Sequence, residues 1–165
     1  TYLALGSNLG DRRSYLEQAV HEIQDKIGSI INVSKYYRTE PLNPENISEQ
    51  PEFLNAAISC STSLSAREVL IACQRIEANI GLDRSTKVPW GPRIIDIDII
   101  AYGNEIIKDQ DLTIPHAELC NRDFVLVPLQ EISPKFTHPL SKLSIDILIE
   151  NLKKADSFSH MIAVL

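Results

Sequence analysis

The sequence predicts an α+β fold whose elements follow the order β-α-β-β-α-β, with a C-terminal extension after the last strand. Short stretches rich in β-branched and aromatic residues alternate with longer stretches whose apolar residues recur at helical spacing. Glycines and prolines separate these stretches and mark the turns between them. The 165 residues fit one domain, because single domains most often contain roughly 100–150 residues.

Four stretches of β-branched and aromatic residues predict the strands, at residues 1–5, 30–37, 53–63 and 93–102. A second short β stretch is expected at residues 106–114. The glycine-rich segment 6–10 (GSNLG) is most simply a turn that closes the first strand. Two loops, 38–52 and 82–92, are long for a compact domain, and loops of this length are often functional.

Apolar stripes and end signals predict helices over about residues 11–28, 65–81, 117–131 and 144–153. The second of these begins with a capping box formed by Ser65 and Glu68, and Gly81 ends it. The resulting order is the ferredoxin-like sandwich, in which two helices cover one face of an antiparallel sheet. We expect the other face to lie open or to be covered by the two long loops and the C-terminal extension.

Composition and charge exclude several classes of protein. A formal net charge of −6 argues against a general nucleic-acid-binding protein. No apolar run approaches the roughly 20 residues that a membrane helix needs. The three cysteines are scattered, which favours reduced core thiols in a cytoplasmic protein. Organelle targeting is left open, because the chain begins at Thr1 rather than at Met.

Two aspartates in the predicted fourth strand give the strongest chemical signal. Asp96 and Asp98 share one face of the strand, while Ile95, Ile97 and Ile99 share the other. The two aspartates are held about 6.6 Å apart, from a rise of roughly 3.3 Å per residue. Their carboxylates repel, and two Mg²⁺ ions about 3.5–4 Å apart would fit between them and remove the repulsion. A solvated polar face is the alternative, and the pair alone does not decide between them.

Basic and aromatic side chains lie near this pair in the sequence. The basic group is Arg84, Lys87, Arg93, His116 and Arg122, with Trp90 among them. Arginine forks match phosphate oxygens, so a metal and arginines together suggest a polyphosphate site. Phe53 and Phe124, with Asn55 nearby, either belong to the core or enclose a flat heterocycle, and spacing does not choose.

These motifs together resemble the 6-hydroxymethyl-7,8-dihydropterin pyrophosphokinase family of folate biosynthesis. The matching stretches are residues 3–11 (LALGSNLGD), 37–42 (YRTEPL), 50–57 (QPEFLNAA), 74–77 (QRIE), 90–99 (WGPRIIDIDI) and 112–124 (LTIPHAELCNRDF). They occur in order over most of the chain, and the GPRxxDxD block is the most specific of them. The family fold is the ferredoxin-like sandwich that the element order predicts.

The resemblance implies an ATP-dependent diphosphotransferase that transfers pyrophosphate to the pterin hydroxymethyl group and releases AMP. It implies that Asp96 and Asp98 bind two Mg²⁺ ions, and that Arg84 and Arg93 neutralise charge on the triphosphate. The implied ATP positions are Leu70, Gln74, Glu77, Arg84, Trp90, Arg93, Ile99, Leu112, Thr113, His116 and Arg122. The implied pterin positions are Thr39, Pro41, Leu42, Phe53, Asn55, Asp96 and Phe124, with the two phenylalanines on opposite faces of the ring.

The sequence also departs from the family pattern. Leu82 stands where many members carry an arginine, and Phe53 where a tyrosine is frequent. Both long loops are longer than in compact bacterial members. We expect these loops to close as lids over the substrates, so the departures bear on closure and rate rather than on the metal pair.

Two other functions stay open at this point. A non-catalytic ferredoxin-like module could sense a small ligand, although it would not need Asp96, Asp98 and Arg93. A two-metal phosphohydrolase would share the aspartates but would not need a pterin site. We expect residues 1–165 to form a single pyrophosphokinase domain, alone or fused to dihydropteroate synthase or dihydroneopterin aldolase. Its partners would be ATP and the pterin, with no nucleic acid and no membrane.

Overall fold

The computed structural model describes residues 1–41, 50–82, 91–155 and 161–164. The strands in these ranges are β1 (Tyr2–Ser7), β2 (Ser29–Val33), β3 (Tyr36–Thr39), β4 (Phe53–Ser61), β5 (Asp96–Ala101), β6 (Ile107–Lys108), β7 (Thr113–Ile114) and β8 (Met161–Val164). The α-helices are α1 (Arg12–Lys26), α2 (Ala66–Ile80), α3 (Asp123–Ile132) and α4 (Ile145–Lys154). A short 3₁₀ helix, Leu119–Asn121, precedes α3.

The main sheet is antiparallel and has the strand order β5-β1-β4-β3-β8, with β2 paired to the far half of β4. This order confirms the predicted ferredoxin-like fold, because the first strand lies between the last two strands of the motif. Gly6 of β1 lies opposite Asn55 of β4 and also opposite Asp96 of β5. The register therefore brings the ends of three strands to one place.

Each face of the sheet has its own apolar core. On one face α1 and α2 pack against β1, β4 and β5, and Ile95, Ile97 and Ile99 are buried there. On the other face α3 packs against β4 and β3, and α3 and α4 share an apolar core with Ile100 and Ala101 of β5. The C-terminal extension thus covers part of the second face, as expected, whereas most of the two long loops expected beside it lies outside the described residues. The alternation of isoleucine and aspartate in β5 divides the strand between the two faces.

The second predicted strand is broken in the structure. Ser34 interrupts it, because its Oγ accepts a hydrogen bond from Ala57 N at 2.9 Å and donates to Lys35 O at 2.7 Å. A serine side chain thus replaces one rung of the backbone ladder, and β2 and β3 pair with different halves of β4. The sequence analysis did not predict β8, which pairs with β3 at the edge of the sheet.

Other predicted bounds also differ from the structure. The first strand runs to Ser7, two residues into the expected turn, and β4 ends at Ser61 rather than at residue 63. The helix expected over 117–131 is split, because Arg122 has extended backbone (φ −123°, ψ 97°) between the 3₁₀ helix and α3. The fourth strand begins at Asp96 rather than at residue 93, since the backbone of Arg93 pairs with Asn8 instead of with a strand. The stretch 106–114 forms the β6–β7 hairpin. Within the described ranges, every helix is too short or too polar to cross a membrane.

Candidate active site

Two cavities meet at β5. The first, which we call the sheet cavity, has a volume of about 270 Å³ and opens on the face of the sheet that carries α3. The second, which we call the hairpin cavity, has a volume of about 410 Å³ and lies between α2, β5 and the β6–β7 hairpin. Asp96, Asp98 and His116 line both cavities. The two predicted metal ligands therefore stand at the boundary between two adjoining spaces.

The sheet cavity exists because β1 carries small residues on this face. Ala4 and Gly6 line its floor. A Cβ atom at Gly6 would lie only 3.0 Å from Asn55 Oδ1, and 3.7 Å from the Phe53 ring, so any side chain at Gly6 would press on Asn55. Glycine at position 6 therefore keeps the floor open beside Asn55.

Asp96 is held by a mostly buried arginine. Its Oδ2 accepts a hydrogen bond from Arg93 Nη1 at 2.5 Å, and the two side chains are only 16% and 14% exposed. Arg93 Nη2 and Nε also donate to Gly91 O at 3.1 and 3.2 Å. The guanidinium carbon lies 5.9 Å from the centre of the Phe53 ring. Arg93 thus joins the first carboxylate to an aromatic wall of the sheet cavity.

Asp98 has a looser pair of basic neighbours. Its Oδ2 lies 3.4 Å from Arg122 Nη1 and 3.8 Å from His116 Nε2. The guanidinium carbon of Arg122 lies 5.8 Å from the centre of the Phe124 ring. Each carboxylate therefore has one arginine beside it, and each arginine lies against one of the two predicted pterin-binding rings.

The protonation of His116 follows from its surroundings. Burial lowers the pKa of His116 below its usual value, with Asp98 opposing this shift. Its Nδ1 accepts a hydrogen bond from Glu118 N at 3.1 Å. Because Nδ1 is an acceptor, the neutral ring carries its proton on Nε2, which faces Asp98. His116 is thus a neutral donor at the boundary of the two cavities.

Polar and aromatic residues of β3, β4 and α3 complete the sheet cavity. Asn55 is buried, and its Nδ2 donates to Thr39 Oγ1 at 2.8 Å. Thr39 thereby fixes the orientation of the carboxamide and leaves Asn55 Oδ1 as an acceptor beside Gly6. Phe53 and Phe124 line the same cavity.

One face of α2 forms the inner wall of the hairpin cavity. Leu70, Gln74 and Glu77 lie at i, i+4 and i+7 and all line it. Glu77 is only 1% exposed, and its Oε1 accepts a hydrogen bond from Ile97 N at 2.8 Å. A carboxylate of the cavity wall therefore also holds the start of β5 in place.

The β6–β7 hairpin forms the opposite wall and is tied to α2 by charge. Arg67, in the first turn of α2, donates to both oxygens of Asp111 at 2.6 Å and to Asp109 at 2.7 Å. These bonds hold the pKa of Asp111 below its usual value. The sequence analysis missed all three residues, because only the tertiary fold places the first turn of α2 beside the hairpin.

The structure brings most of the predicted site residues together. The predicted ATP positions that line the hairpin cavity are Leu70, Gln74, Glu77, Ile99, Leu112, Thr113 and His116. The predicted pterin positions that line the sheet cavity are Thr39, Phe53, Asn55, Asp96 and Phe124.

Some predictions fall elsewhere. Arg93 and Arg122, expected around ATP, line the sheet cavity instead. Pro41 lines neither cavity, whereas its neighbour Glu40 lines the sheet cavity. The predictions for Leu42, Arg84, Lys87 and Trp90 lie outside the described residues, as do most of the two expected lids.

Comparison with known proteins decides the family. Residues 2–134 match the model of the 7,8-dihydro-6-hydroxymethylpterin-pyrophosphokinase (HPPK) family. The chain belongs to this family. It is 38% identical to the 2-amino-4-hydroxy-6-hydroxymethyldihydropteridine pyrophosphokinase of Haemophilus influenzae over 148 residues, which are 89% of each chain. The Bacillus subtilis protein of the same name is 43% identical over 132 residues, covering 79% of this chain and 76% of its own.

Solved structures agree on the fold. The crystal structure of an HPPK-DHPS complex with substrates matches with a TM-score of 0.74 and 16% identity, over 95% of this chain and 44% of that one. Wild-type Plasmodium falciparum HPPK-DHPS matches with a TM-score of 0.74 and 17% identity, over 95% and 46%. The chain thus spans less than half of these longer proteins.

The family match confirms three predictions made from the motifs. They are the family itself, the ferredoxin-like fold and the activity of an ATP-dependent diphosphotransferase in folate biosynthesis. The alternatives of a ligand sensor and a phosphohydrolase are not what this family does.

Proposed function

We propose that the pyrophosphoryl group passes from ATP to 6-hydroxymethyl-7,8-dihydropterin at the boundary of the two cavities. The nucleotide would occupy the hairpin cavity and the pterin the sheet cavity. One observation carries this placement. The two cavities share three lining residues, Asp96, Asp98 and His116, and each of the other described lining residues belongs to one cavity only. A transfer between two substrates needs two adjoining spaces with charged groups between them.

The donor set at the boundary suits Mg²⁺. Asp96 and Asp98 provide two carboxylates from one face of β5, and Mg²⁺ commonly takes one or two protein carboxylates together with substrate phosphates. No three His, Cys, Asp or Glu side chains gather as a metal site within the part of the chain that the structure describes. We propose that these two aspartates hold two Mg²⁺ ions. When bound, the ions would polarise the phosphate oxygens and lower the pKa of the attacking hydroxyl.

The pterin would be held by stacking and by one carboxamide. Phe53 and Phe124 offer aromatic faces in the sheet cavity. Asn55 offers its Oδ1 to an N–H of the pterin edge, because its Nδ2 is already bonded to Thr39. Asn55, one of the implied pterin positions, would therefore bind the edge of the pterin through one specific atom, Oδ1.

The arginines and His116 would stabilise charge during transfer. The bond formed joins the hydroxymethyl oxygen to the β-phosphorus, and the bond broken joins that phosphorus to the oxygen bridging it to the α-phosphate. AMP then leaves. Arg93 and Arg122 each lie beside one of the two carboxylates. With ATP bound, phosphate oxygens would replace these carboxylates as the partners of the two arginines. His116 would donate its Nε2 proton to a phosphate oxygen.

The test is release of AMP from Mg-ATP with and without 6-hydroxymethyl-7,8-dihydropterin, with the products identified by mass spectrometry. We expect AMP only in the presence of the pterin, together with an equal amount of pterin diphosphate. Production of ADP, or of phosphate without dependence on the pterin, would favour a hydrolase and remove this assignment.

We also propose that residues 1–165 form one pyrophosphokinase domain. The family match ends at residue 134, yet α4 packs with α3 and β8 pairs with β3. Some relatives are longer. The folic acid synthesis protein fol1 of Pneumocystis carinii is 37% identical over 155 residues, which are 94% of this chain but 20% of that protein. Because the match covers only a fifth of that longer protein, residues 1–165 would form one domain that works either alone or beside other domains.

A further inference from the structure

Asn8 of the GSNLG turn has no role in the reaction described so far, yet it is among the most buried polar residues, at 1% exposure. Its carboxamide makes three hydrogen bonds. Asn8 Oδ1 accepts from Arg93 N at 2.7 Å. Asn8 Nδ2 donates to Gln50 Oε1 and to Pro51 O, each at 3.2 Å. Its backbone N also donates to Arg93 O at 3.0 Å.

These bonds join three separate parts of the chain. Asn8 follows β1, Gln50 and Pro51 precede β4, and Arg93 precedes β5. Both backbone polar groups of Arg93 are bonded to Asn8, so this residue is attached at two points. Arg12 Nη1 also donates to Glu52 O at 2.6 Å, which gives the approach to β4 a second attachment, from the start of α1.

The residues that Asn8 attaches lead directly to two walls of the sheet cavity. Arg93 is bonded to Asp96, and Pro51 lies two residues before Phe53. The guanidinium of Arg93 and the ring of Phe53 then lie against each other, 5.9 Å apart. Asparagine provides one acceptor and two donors on a short side chain, whereas aspartate lacks the donors and serine lacks the reach.

We propose that Asn8 is a positioning residue for the transfer site. It fixes the backbone of Arg93 relative to the approach to Phe53, and so sets the cationic and aromatic walls of the sheet cavity against each other. This inference rests on the proposed placement of the pterin in that cavity.

The test compares Asn8→Ala and Asn8→Asp with a control of similar structural cost. Asn8→Asp keeps the acceptor for Arg93 N but leaves Pro51 O without its donor. Asn8→Ala removes both of these side-chain attachments and keeps only the backbone bond from residue 8 N to Arg93 O. Thr62→Val is the control, because Thr62 Oγ1 also bonds two backbone groups, Ile27 O and Leu64 N, near the far end of β4. The measurements are kcat, the Kd values for pterin and nucleotide by calorimetry, and the melting temperature.

We expect both Asn8 variants to lower kcat by about tenfold to a hundredfold, as expected when reacting groups are misplaced by an ångström. Asn8→Asp should weaken pterin binding by about tenfold while nucleotide binding changes by less than about threefold. Thr62→Val should leave kcat and both Kd values within about twofold of the wild type. Its melting temperature should fall by about as much as in the Asn8 variants.

The inference is overturned if the Asn8 variants match Thr62→Val in kcat and pterin Kd. Should Asn8→Ala fail to fold, Asn8→Asp decides the question, since it preserves the shape and one of the attachments. Phe124→Ala separates this inference from the proposed function. Unchanged pterin binding in Phe124→Ala would mean that the pterin is placed wrongly, whereas weakened binding beside unaffected Asn8 variants would reject the role of Asn8 alone.

Discussion

Replacing Asp98 by asparagine should abolish most of the activity and leave the stability of the protein almost unchanged. The substitution keeps the shape of the side chain and removes one negative charge. Asp96 and Asp98 share one face of β5, and both line the two cavities. If Asp98 acts on the substrates, its charge matters for turnover and not for folding.

The expected change in stability follows from opposing charge interactions. Carboxylates about 6.6 Å apart repel by about 0.6 kcal/mol at the dielectric constant of water and by about 2.5 kcal/mol at an effective value near 20. Loss of this repulsion is offset by loss of the contact with Arg122, which lies 3.4 Å from Asp98. The side chain of Asp98 is 35% exposed, so that contact is worth no more than about 1 kcal/mol. Because Asp98 is this exposed, water screens the repulsion as well, and its value lies near the lower figure of about 0.6 kcal/mol. The free energy of unfolding should therefore change by less than about 1 kcal/mol in either direction.

The activity should fall by more than about a hundredfold, because the substitution removes one of the two carboxylates proposed to hold Mg²⁺. AMP release at saturating Mg-ATP and pterin measures the activity, and urea unfolding measures the stability. Asp25→Asn is the control, because Asp25 is an exposed aspartate near the end of α1. More than a tenth of the wild-type activity in Asp98→Asn, or a loss of more than about 2 kcal/mol of stability, would refute the reasoning.

Three further predictions concern other parts of the molecule. Phe124→Ala should raise the Kd for the pterin by about tenfold and that for the nucleotide by less than about threefold, and calorimetry showing the reverse order would contradict the stacking role. Gly28→Ala should cost about 1–3 kcal/mol in urea unfolding, since the added Cβ would lie 2.1 Å from Ser61 O, and an unchanged free energy would contradict this. Burial lowers the pKa of His138 below 6.5, so its contribution to stability is complete above that pH and is lost as the pH falls through the folded-state pKa. Urea unfolding from about pH 7.5 to about pH 5 should therefore show a shallower decline in His138→Gln than in the wild type, and equal declines would contradict the assignment.

Much of the fold could be predicted because local patterns and tertiary structure agree. The apolar stripes of α1 and α2, and the capping box at Ser65, lie where the sequence places them. The break at Ser34 could not be predicted, because it depends on a hydrogen bond with Ala57, a residue far along the chain. The strand β8 was missed for a similar reason, since only its pairing with β3 makes four residues a strand.

Most residues of the candidate site could be predicted from the sequence, but their division between the two cavities could not. Asp96 and Asp98 follow from strand periodicity alone, and the aromatic and basic residues follow from the family motifs. The sequence could not show that Arg93 and Arg122 line the sheet cavity, because that depends on where α3 and the segment before β5 run in space. Asn8 stood within a recognised motif, but its partners are more than 40 residues away.

The alternation in β5 divides one strand between two surroundings, with isoleucines buried on one side and carboxylates that line the two cavities on the other. A slip of one residue in its pairing with β1 would bury both charges and expose the isoleucines, at a cost far beyond any gain. Burial of the isoleucines therefore fixes the strand register, and the register fixes the positions of Asp96 and Asp98. Variants that adapt this enzyme to other temperatures should accumulate on the helices and loops, where stability can change without shifting that register.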